Sequence, residues 1–257
     1  MLKKRLVGVV TVRGGRAVQS FAYSRHLPLG RPEILVENLD RWGVDEILVQ
    51  VIDRSMGGLG PDFALLKRLG ALGLSTPLIY AGGIRDARDA VEVVRLGADR
   101  VAVDAMLRTA PDQVEATARE LGAQAVIAHM PVRVVEGALL WRDYLAGKES
   151  PLSRAMLDGV PLEWASEIML TDWQNEGYPE AFDESIAEAA SLAERPLILF
   201  GGLSSAPQLQ RMLALPNVAA VAVGNFLSYR ENAVQILKQG LHGVTIREAR
   251  YQAEWTP

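Results

Sequence analysis

"PLILFGGLSSA" (196–206) and "PLIYAGGIRDA" (77–87) follow one plan: a proline, an apolar run, two glycines, Leu or Ile, then a polar cluster that opens a helix. The likeness continues beyond the turn. "PLIYAGGIRDARDAVEVVRLGADRVAVDAML" (77–107) matches "PLILFGGLSSAPQLQRMLALPNVAAVAVGNFL" (196–227) through strand, helix and next strand. Strand, helix, strand is the unit of a parallel sheet. One copy in each half of the chain favours a closed barrel of two half-barrels over an open doubly wound sheet.

Along the chain, eight apolar runs read as strands: 5–12, 46–52, 77–82, 100–104, 125–130, 167–172, 196–201 and 221–225. They are rich in Val, Ile and Leu, as strands buried on both faces should be. Amphipathic patterns lie between them, at 32–43, 62–73, 86–97, 111–122, 183–194, 206–216 and 231–243, several ending in glycine. "VRVVEGALLW" (132–141) reads as a small hairpin ahead of a fifth helix. The prediction is an α/β fold, a (β/α)₈ TIM barrel. It is one domain over residues 1–257, with half-barrels at about 1–122 and 123–257; barrels of about 250 residues form single domains.

Composition narrows the function. Of 257 residues 49% are hydrophobic, enough for a large core, and the net charge of −4 comes without a basic stripe. Nucleic-acid binding is not expected. With no cysteine, thiolate metal sites and disulfides are excluded. Three scattered histidines give no metal spacing, and His26 and His242 read as surface residues. No G-x-G-x-x-G fingerprint is present, so neither metal nor cofactor is predicted. "MLKKRLVGVVTV" alternates like a strand rather than a signal peptide, and no run of about 20 apolar residues occurs. The expectation is a cytoplasmic protein that does not enter membranes.

Strand alternation sorts side chains by face. Arg5, Glu46, Arg100 and Glu167 each begin a strand. Alone, each would be an exposed rim residue. Together, two acids and two bases pointing inward could close the barrel bottom as a neutralised ring. The same phase carries Thr11, Gln50, Asp104 and Thr171 to the opposite, C-terminal end, where barrel active sites lie. The pairs Gly82-Gly83 and Gly201-Gly202 let backbone N–H groups approach an anion beside a helix N-terminus. Gly224 and Asn225 flank the second pair, which favours a phosphorylated small molecule there. Asp104 or its neighbour Ala105 sits at the matching place near the first pair, and a carboxylate there would repel phosphate.

Over nearly its whole length the chain resembles the cyclase (synthase) subunit of imidazole glycerol phosphate synthase. The matching stretches are "MLKKRL", "GVDEIL", "AGGIRD", "LGADRVAV", "AQAV", "EIMLT", "FGGLSS" and "FLSYRE". The resemblance implies a half-barrel duplication, a ligand with a phosphate at each end, and a glutaminase subunit docked at the barrel bottom. Ammonia would pass through the barrel to the substrate. The family's gate of two acids and two bases falls on Arg5, Glu46, Arg100 and Glu167. Asp99 and Gln124 fall on glutaminase-facing positions.

The departures are as informative. The family's two catalytic aspartates, at the ends of strands one and five, read here as Thr11 and Pro131. Neither exchanges a proton as a carboxylate does. Gln19 stands where the family usually has lysine. His129 and Asp104 are the candidate replacements. The alternative for His129 is a satisfied core histidine, and for Asp104 a helix N-cap. "IDRSMGGLGPD" (52–62), with Asp53 and Arg54, reads either as a new pocket wall or as a flexible turn. Three functions follow. The first is a diverged synthase-type subunit that passes ammonia from a glutaminase toward a third, amidating protein, for a substrate such as a surface sugar. The second is a genuine cyclase of histidine biosynthesis, a lyase working through His129, Asp104 and Thr11. The third is a non-catalytic ligand-binding scaffold.

Overall fold

A computed structural model describes residues 3–189 and 195–249. Twelve strands occur there: β1 (Arg5–Arg13), β2 (Arg16–Phe21), β3 (Arg25–Gly30), β4 (Glu46–Val51), β5 (Leu78–Ala81), β6 (Arg100–Val103), β7 (Val126–Val135), β8 (Ala138–Asp143), β9 (Lys148–Pro151), β10 (Glu167–Asp172), β11 (Leu197–Phe200) and β12 (Val218–Val223). Eight of them, β1, β4, β5, β6, β7, β10, β11 and β12, pair in parallel, and β12 returns to β1. The sheet is closed, with helices between strands: a (β/α)₈ barrel. Closure removes the sheet edges that would otherwise expose unpaired backbone.

The helices are α1 (Pro32–Trp42), α2 (Phe63–Gly70), α3 (Ala87–Arg95), α4 (Met106–Thr109), α5 (Pro111–Leu121), α6 (Arg154–Leu157), α7 (Ser185–Ala189), α8 (Ala206–Ala214), α9 (Phe226–Tyr229) and α10 (Ala233–Gln239). Local chemistry sets their ends. Asp62 caps α2 by accepting from the Leu65 N–H at 2.9 Å, and Asp86 caps α3 through the Asp89 N–H at 2.9 Å. Gly43 ends α1 in the left-handed conformation, φ 80°. The expected helix at 183–194 begins at Ser185, and its last five residues lie outside the described ones.

Alternation divides the core in two. Outward residues of the barrel strands pack beneath the helices in one large apolar cluster. Inward residues, among them Val7, Leu48, Ile79, Ala102, Ile127, Met169, Ile198 and Ala220, form a second cluster along the barrel axis. The inward phase expected for strands one, two, four and six is therefore correct.

Three boundaries differ from expectation. The last barrel strand is 218–223, so Gly224 and Asn225 lie beyond it, leading into α9. The fifth runs on past residue 130 to Val135 and turns back as β8 and β9, which makes the predicted hairpin a three-stranded flap ahead of α6. The segment after β1, left without structure by pattern alone, is the antiparallel pair β2–β3. Its turn places Ala22 and Tyr23 at φ 49° and 53°, conformations that pattern does not announce for these residue types.

Candidate functional site

The N-terminal end of the barrel is closed by charge. Arg5 bonds Glu46 at 3.1 Å and also Glu167; Arg100 bonds Glu46 at 3.1 Å and Glu167 at 2.6 Å. Each carboxylate touches both guanidiniums. Burial pushes the Glu46 carboxyl up, against the pull of Arg5 and Arg100. The arginines are held unequally. Arg100 also donates to the Gln124 carbonyl at 3.1 Å and to the Ser166 hydroxyl at 2.9 Å, and its side chain is 13% exposed. Arg5 has only the two carboxylates and is 25% exposed.

Asp99 and Gln124 lie exposed beside this ring. Asp99 accepts from the Leu78 N–H at 2.8 Å, which fixes the start of β5. The Gln124 backbone ties the outer surface to Arg100.

Above the ring the bore is apolar, and above that a buried polar layer spans the C-terminal mouth. His129 Nε2 meets the Thr171 hydroxyl at 2.8 Å, and His129 Nδ1 lies 4.0 Å from the Asp104 carboxylate. The Tyr144 hydroxyl donates to Asp104 at 2.7 Å. Tyr23, from the β2–β3 turn, donates to Gln50 at 3.3 Å. Burial lowers the His129 imidazole to about 4 and raises the Asp104 carboxyl to about 6, the latter opposed by the Tyr144 hydrogen bond and by Arg108. Near neutral pH this gives an uncharged imidazole facing a carboxylate. Asp104 is not a helix cap: α4 has no side-chain cap, and the Asp104 carboxylate turns to Tyr144 and His129 instead. Thr11 lies buried beside Gln50 in the β1/β4 register, and Pro131 beside Thr171 in the β7/β10 register. Tyr144 and Tyr23 escaped sequence reading because they reach the mouth from the flap and the hairpin, outside the strand-phase argument.

The two glycine turns differ sharply. Gly82 and Gly83, like Gly201 and Gly202, all have positive φ, and a Cβ on any of them would strike a backbone atom of a neighbouring strand or loop. At the first turn the Gly83 N–H donates to the Ser55 hydroxyl at 3.0 Å. Arg54 folds the loop carrying Ser55 on itself, donating to the carbonyls of Leu59, Gly60 and Pro61 at 3.1, 2.7 and 3.0 Å, and the Asp62 N–H ties it to the Tyr80 hydroxyl at 2.7 Å. The segment 52–62 is thus a fitted plug rather than a flexible turn. At the second turn a cleft stays open between Gly202, Leu203 and Ser204 on one side and Gly224 and Phe226 on the other, rimmed by the exposed rings of Tyr178 and Tyr229. The Asn225 side chain does not face this cleft as a free donor. It donates to the carbonyls of Ser20 at 2.7 Å and Gly177 at 3.3 Å, and accepts from the Ser20 N–H at 3.2 Å.

A residue not singled out by sequence is Glu176, 2% exposed. It accepts from the Ser20 hydroxyl at 2.9 Å and the Tyr23 N–H at 3.3 Å, and burial lifts its carboxyl to about 7. His242 is exposed as expected. His26 is half-buried instead, and its imidazole is held below its usual value by burial and by Arg13. No His/Asp/Glu group able to hold a metal, and no helix long and apolar enough to cross a membrane, occurs among the described residues.

A parallel (β/α)₈ barrel with a charge ring at one end and a polar mouth with a glycine-turn cleft at the other defines the class: an α/β barrel, a fold whose active sites lie at the C-terminal ends of the strands. The chain belongs to the family described as histidine biosynthesis protein, whose model matches residues 5–233. Similar curated proteins include the imidazole glycerol phosphate synthase subunit HisF of Anoxybacillus flavithermus, 26% identical over 258 residues, covering 96% of this chain and all of the relative. The corresponding subunit of Lysinibacillus sphaericus is 28% identical over 258 residues, with 96% and 100% covered. A putative imidazole glycerol phosphate synthase subunit hisF2 of Vibrio vulnificus is 26% identical over 242 residues, with 91% of this chain and 86% of the relative covered.

Proposed function

We propose that this barrel is the synthase-type subunit of a glutamine-dependent amidotransferase complex. It takes ammonia from a glutaminase docked at the charge ring and releases it at the C-terminal mouth toward an acceptor outside histidine biosynthesis, such as a surface sugar handled with a third, amidating protein. The observation that carries this reading is the pairing of a neutralised four-charge ring with an apolar bore and a mouth in which Thr11 and Pro131 replace proton-exchanging carboxylates. An apolar bore favours neutral ammonia over ammonium, because an unpaired charge there has no compensating partner. Arg5 is the movable leaf, since Arg100 is moored by two further hydrogen bonds. The later glycine turn holds the anionic end of the acceptor. His129, neutral and facing Asp104, lines the mouth at which ammonia leaves the bore, and this reading asks no proton transfer of it.

In the complex assembled with its glutaminase, Arg5→Ala and Glu167→Ala should depress glutamine-driven product formation at least tenfold while ammonium-driven formation persists. Unchanged glutamine-driven turnover would sink the conduit. The second reading, a genuine cyclase, is favoured by the His129–Asp104 approach at 4.0 Å. Incubating the barrel with the cyclase ribonucleotide substrate and an ammonium salt decides it: sustained imidazole glycerol phosphate formation would establish the cyclase and overturn the reading preferred above.

A further inference from the structure

Two acceptors face each other at the top of the bore. Asp104, His129 and Thr171 continue the inward phase of Ala102, Ile127 and Met169, which belong to the axial apolar cluster. The hydrogen bonds around His129 fix its proton. Tyr23 donates to Gln50 at 3.3 Å and is within hydrogen-bonding reach of Thr171. With the Tyr23 proton directed to Gln50, the Thr171 hydroxyl donates to the Tyr23 oxygen. The Thr171 oxygen is left to accept from His129 Nε2–H at 2.8 Å. An uncharged imidazole carries one N–H, so Nδ1 is a bare acceptor. It lies 4.0 Å from Asp104 Oδ2, has no hydrogen-bond partner among the described residues and is not fully enclosed. Asp104 Oδ1 already accepts from the Tyr144 hydroxyl at 2.7 Å. The His129 side chain is 5% exposed, and a buried acceptor without a donor is costly. A separation of 4.0 Å between two acceptors suits one small molecule with two donor hydrogens, about 2.9 Å from each.

We propose that Asp104 Oδ2 and His129 Nδ1 form a resting site for one ammonia molecule where the bore opens into the mouth. The ligand is a nitrogen with at least two N–H donors, ammonia or ammonium, and it gives one hydrogen to the carboxylate and one to the imidazole. A carboxylate alone would accept any small cation. The bare imidazole nitrogen adds the demand for a hydrogen. The inference rests on the reading of the bore as an ammonia path. It makes Asp104 and His129 binding residues for the nucleophile, which hold it at the exit until the acceptor arrives. No proton passes to the protein.

The chain has three histidines, so nitrogen NMR of the imidazole rings in the full-length protein near neutral pH tests this without knowledge of the acceptor. The His129 ring should carry its proton on Nε2. Its Nδ1 resonance should shift and saturate with ammonium chloride and stay still in potassium chloride of equal concentration, because potassium has no hydrogen to give. His26 and His242 serve as internal controls and should not respond. Asp104→Asn should raise the ammonium midpoint at least threefold. A proton on Nδ1 would overturn the proposal, since the gap would then already hold a donor. Equal shifts in the two salts, or an Asp104→Asn midpoint less than threefold from wild type, would overturn it as well. A His129 ring silent to ammonium, with Arg5→Ala still depressing glutamine-driven turnover, would overturn the resting site and leave the ammonia path intact.

Discussion

Asp104 and His129 occupy one buried layer and respond to acid in opposite senses. The Asp104 carboxyl is raised from 3.8 to about 6, so the folded chain holds that proton more tightly than the unfolded chain. Its contribution to stability therefore falls as pH rises from 3.8 to about 6. The His129 imidazole is lowered from 6.5 to about 4, so the folded chain resists its protonation. That contribution is lost as pH falls from 6.5 to about 4. The ceilings are about 3 kcal/mol for Asp104 and about 3.5 kcal/mol for His129, since a tenfold change in proton affinity is worth about 1.4 kcal/mol. In urea unfolding across this range, Asp104→Asn should gain stability relative to wild type as pH rises. His129→Gln should lose it relative to wild type over the same interval. Parallel curves for wild type and either variant would show that the group is not buried as described. The same two residues mark what pattern could and could not reveal. Strand phase brought Asp104, Thr171 and Gln50 to the mouth. It said nothing of Tyr144, whose hydroxyl decides which way Asp104 turns.

Of the secondary structures, the β2–β3 hairpin is the least supported by its own chain. It joins the barrel by a short pairing of β2 with β1, and it is anchored further by side chains from two distant loops. Asn225 bonds Ser20 through both its amide nitrogen and its carbonyl oxygen, and Glu176 bonds Ser20 and Tyr23. Asn225→Ala removes donor and acceptor together and leaves the buried Ser20 backbone without its partner. It should cost about 1–3 kcal/mol and raise hydrogen exchange in residues 16–30 more than in the barrel strands. Uniformly raised exchange would mean that Asn225 supports the barrel rather than the hairpin. Its place beside Gly224 and the second glycine pair reads as a phosphate contact. Its role as a hairpin anchor lies in contacts to the β2–β3 segment that strand alternation does not reveal.

The barrel floor, which joins the two ends of the described chain, is held a second time by residues near its close. Lys238, 6% exposed, bonds Asp45 at 2.8 Å and the Gly43 and Arg247 carbonyls at 2.9 Å each. Asp45 also accepts from the Leu6 N–H at 2.8 Å, and the Lys4 N–H donates to the Thr245 carbonyl at 2.9 Å. Asp45 also pairs with Arg247 at 3.2 Å, so Lys238→Ala removes one of its two cations and leaves the Gly43 carbonyl without its donor; it should cost about 1–3 kcal/mol in equilibrium unfolding. Lys238→Met with Asp45→Leu, which removes both charges, should recover part of that loss. A double variant as unstable as the single one would place the cost in packing rather than in the lost ion pair.

Pattern alone was enough for the barrel and its polarity. Eight β-rich runs with helices between them, and a repeat spanning strand, helix and strand, leave few ways to bury both faces of a parallel sheet. The charge ring was equally legible, because period-two alternation carries strand-initial residues inward once closure is assumed. The mouth was decided in three dimensions. Whether a glycine turn accepts an anion depends on what else claims its N–H groups. At the first turn Ser55 takes the Gly83 N–H, and at the second a cleft lies between α8 and α9. Two turns with nearly the same residues have different surroundings because hydrogen bonds and burial are set by neighbours in space. Those neighbours, a plug after β4 and a flap after β7, lie on loops whose placement no local pattern encodes.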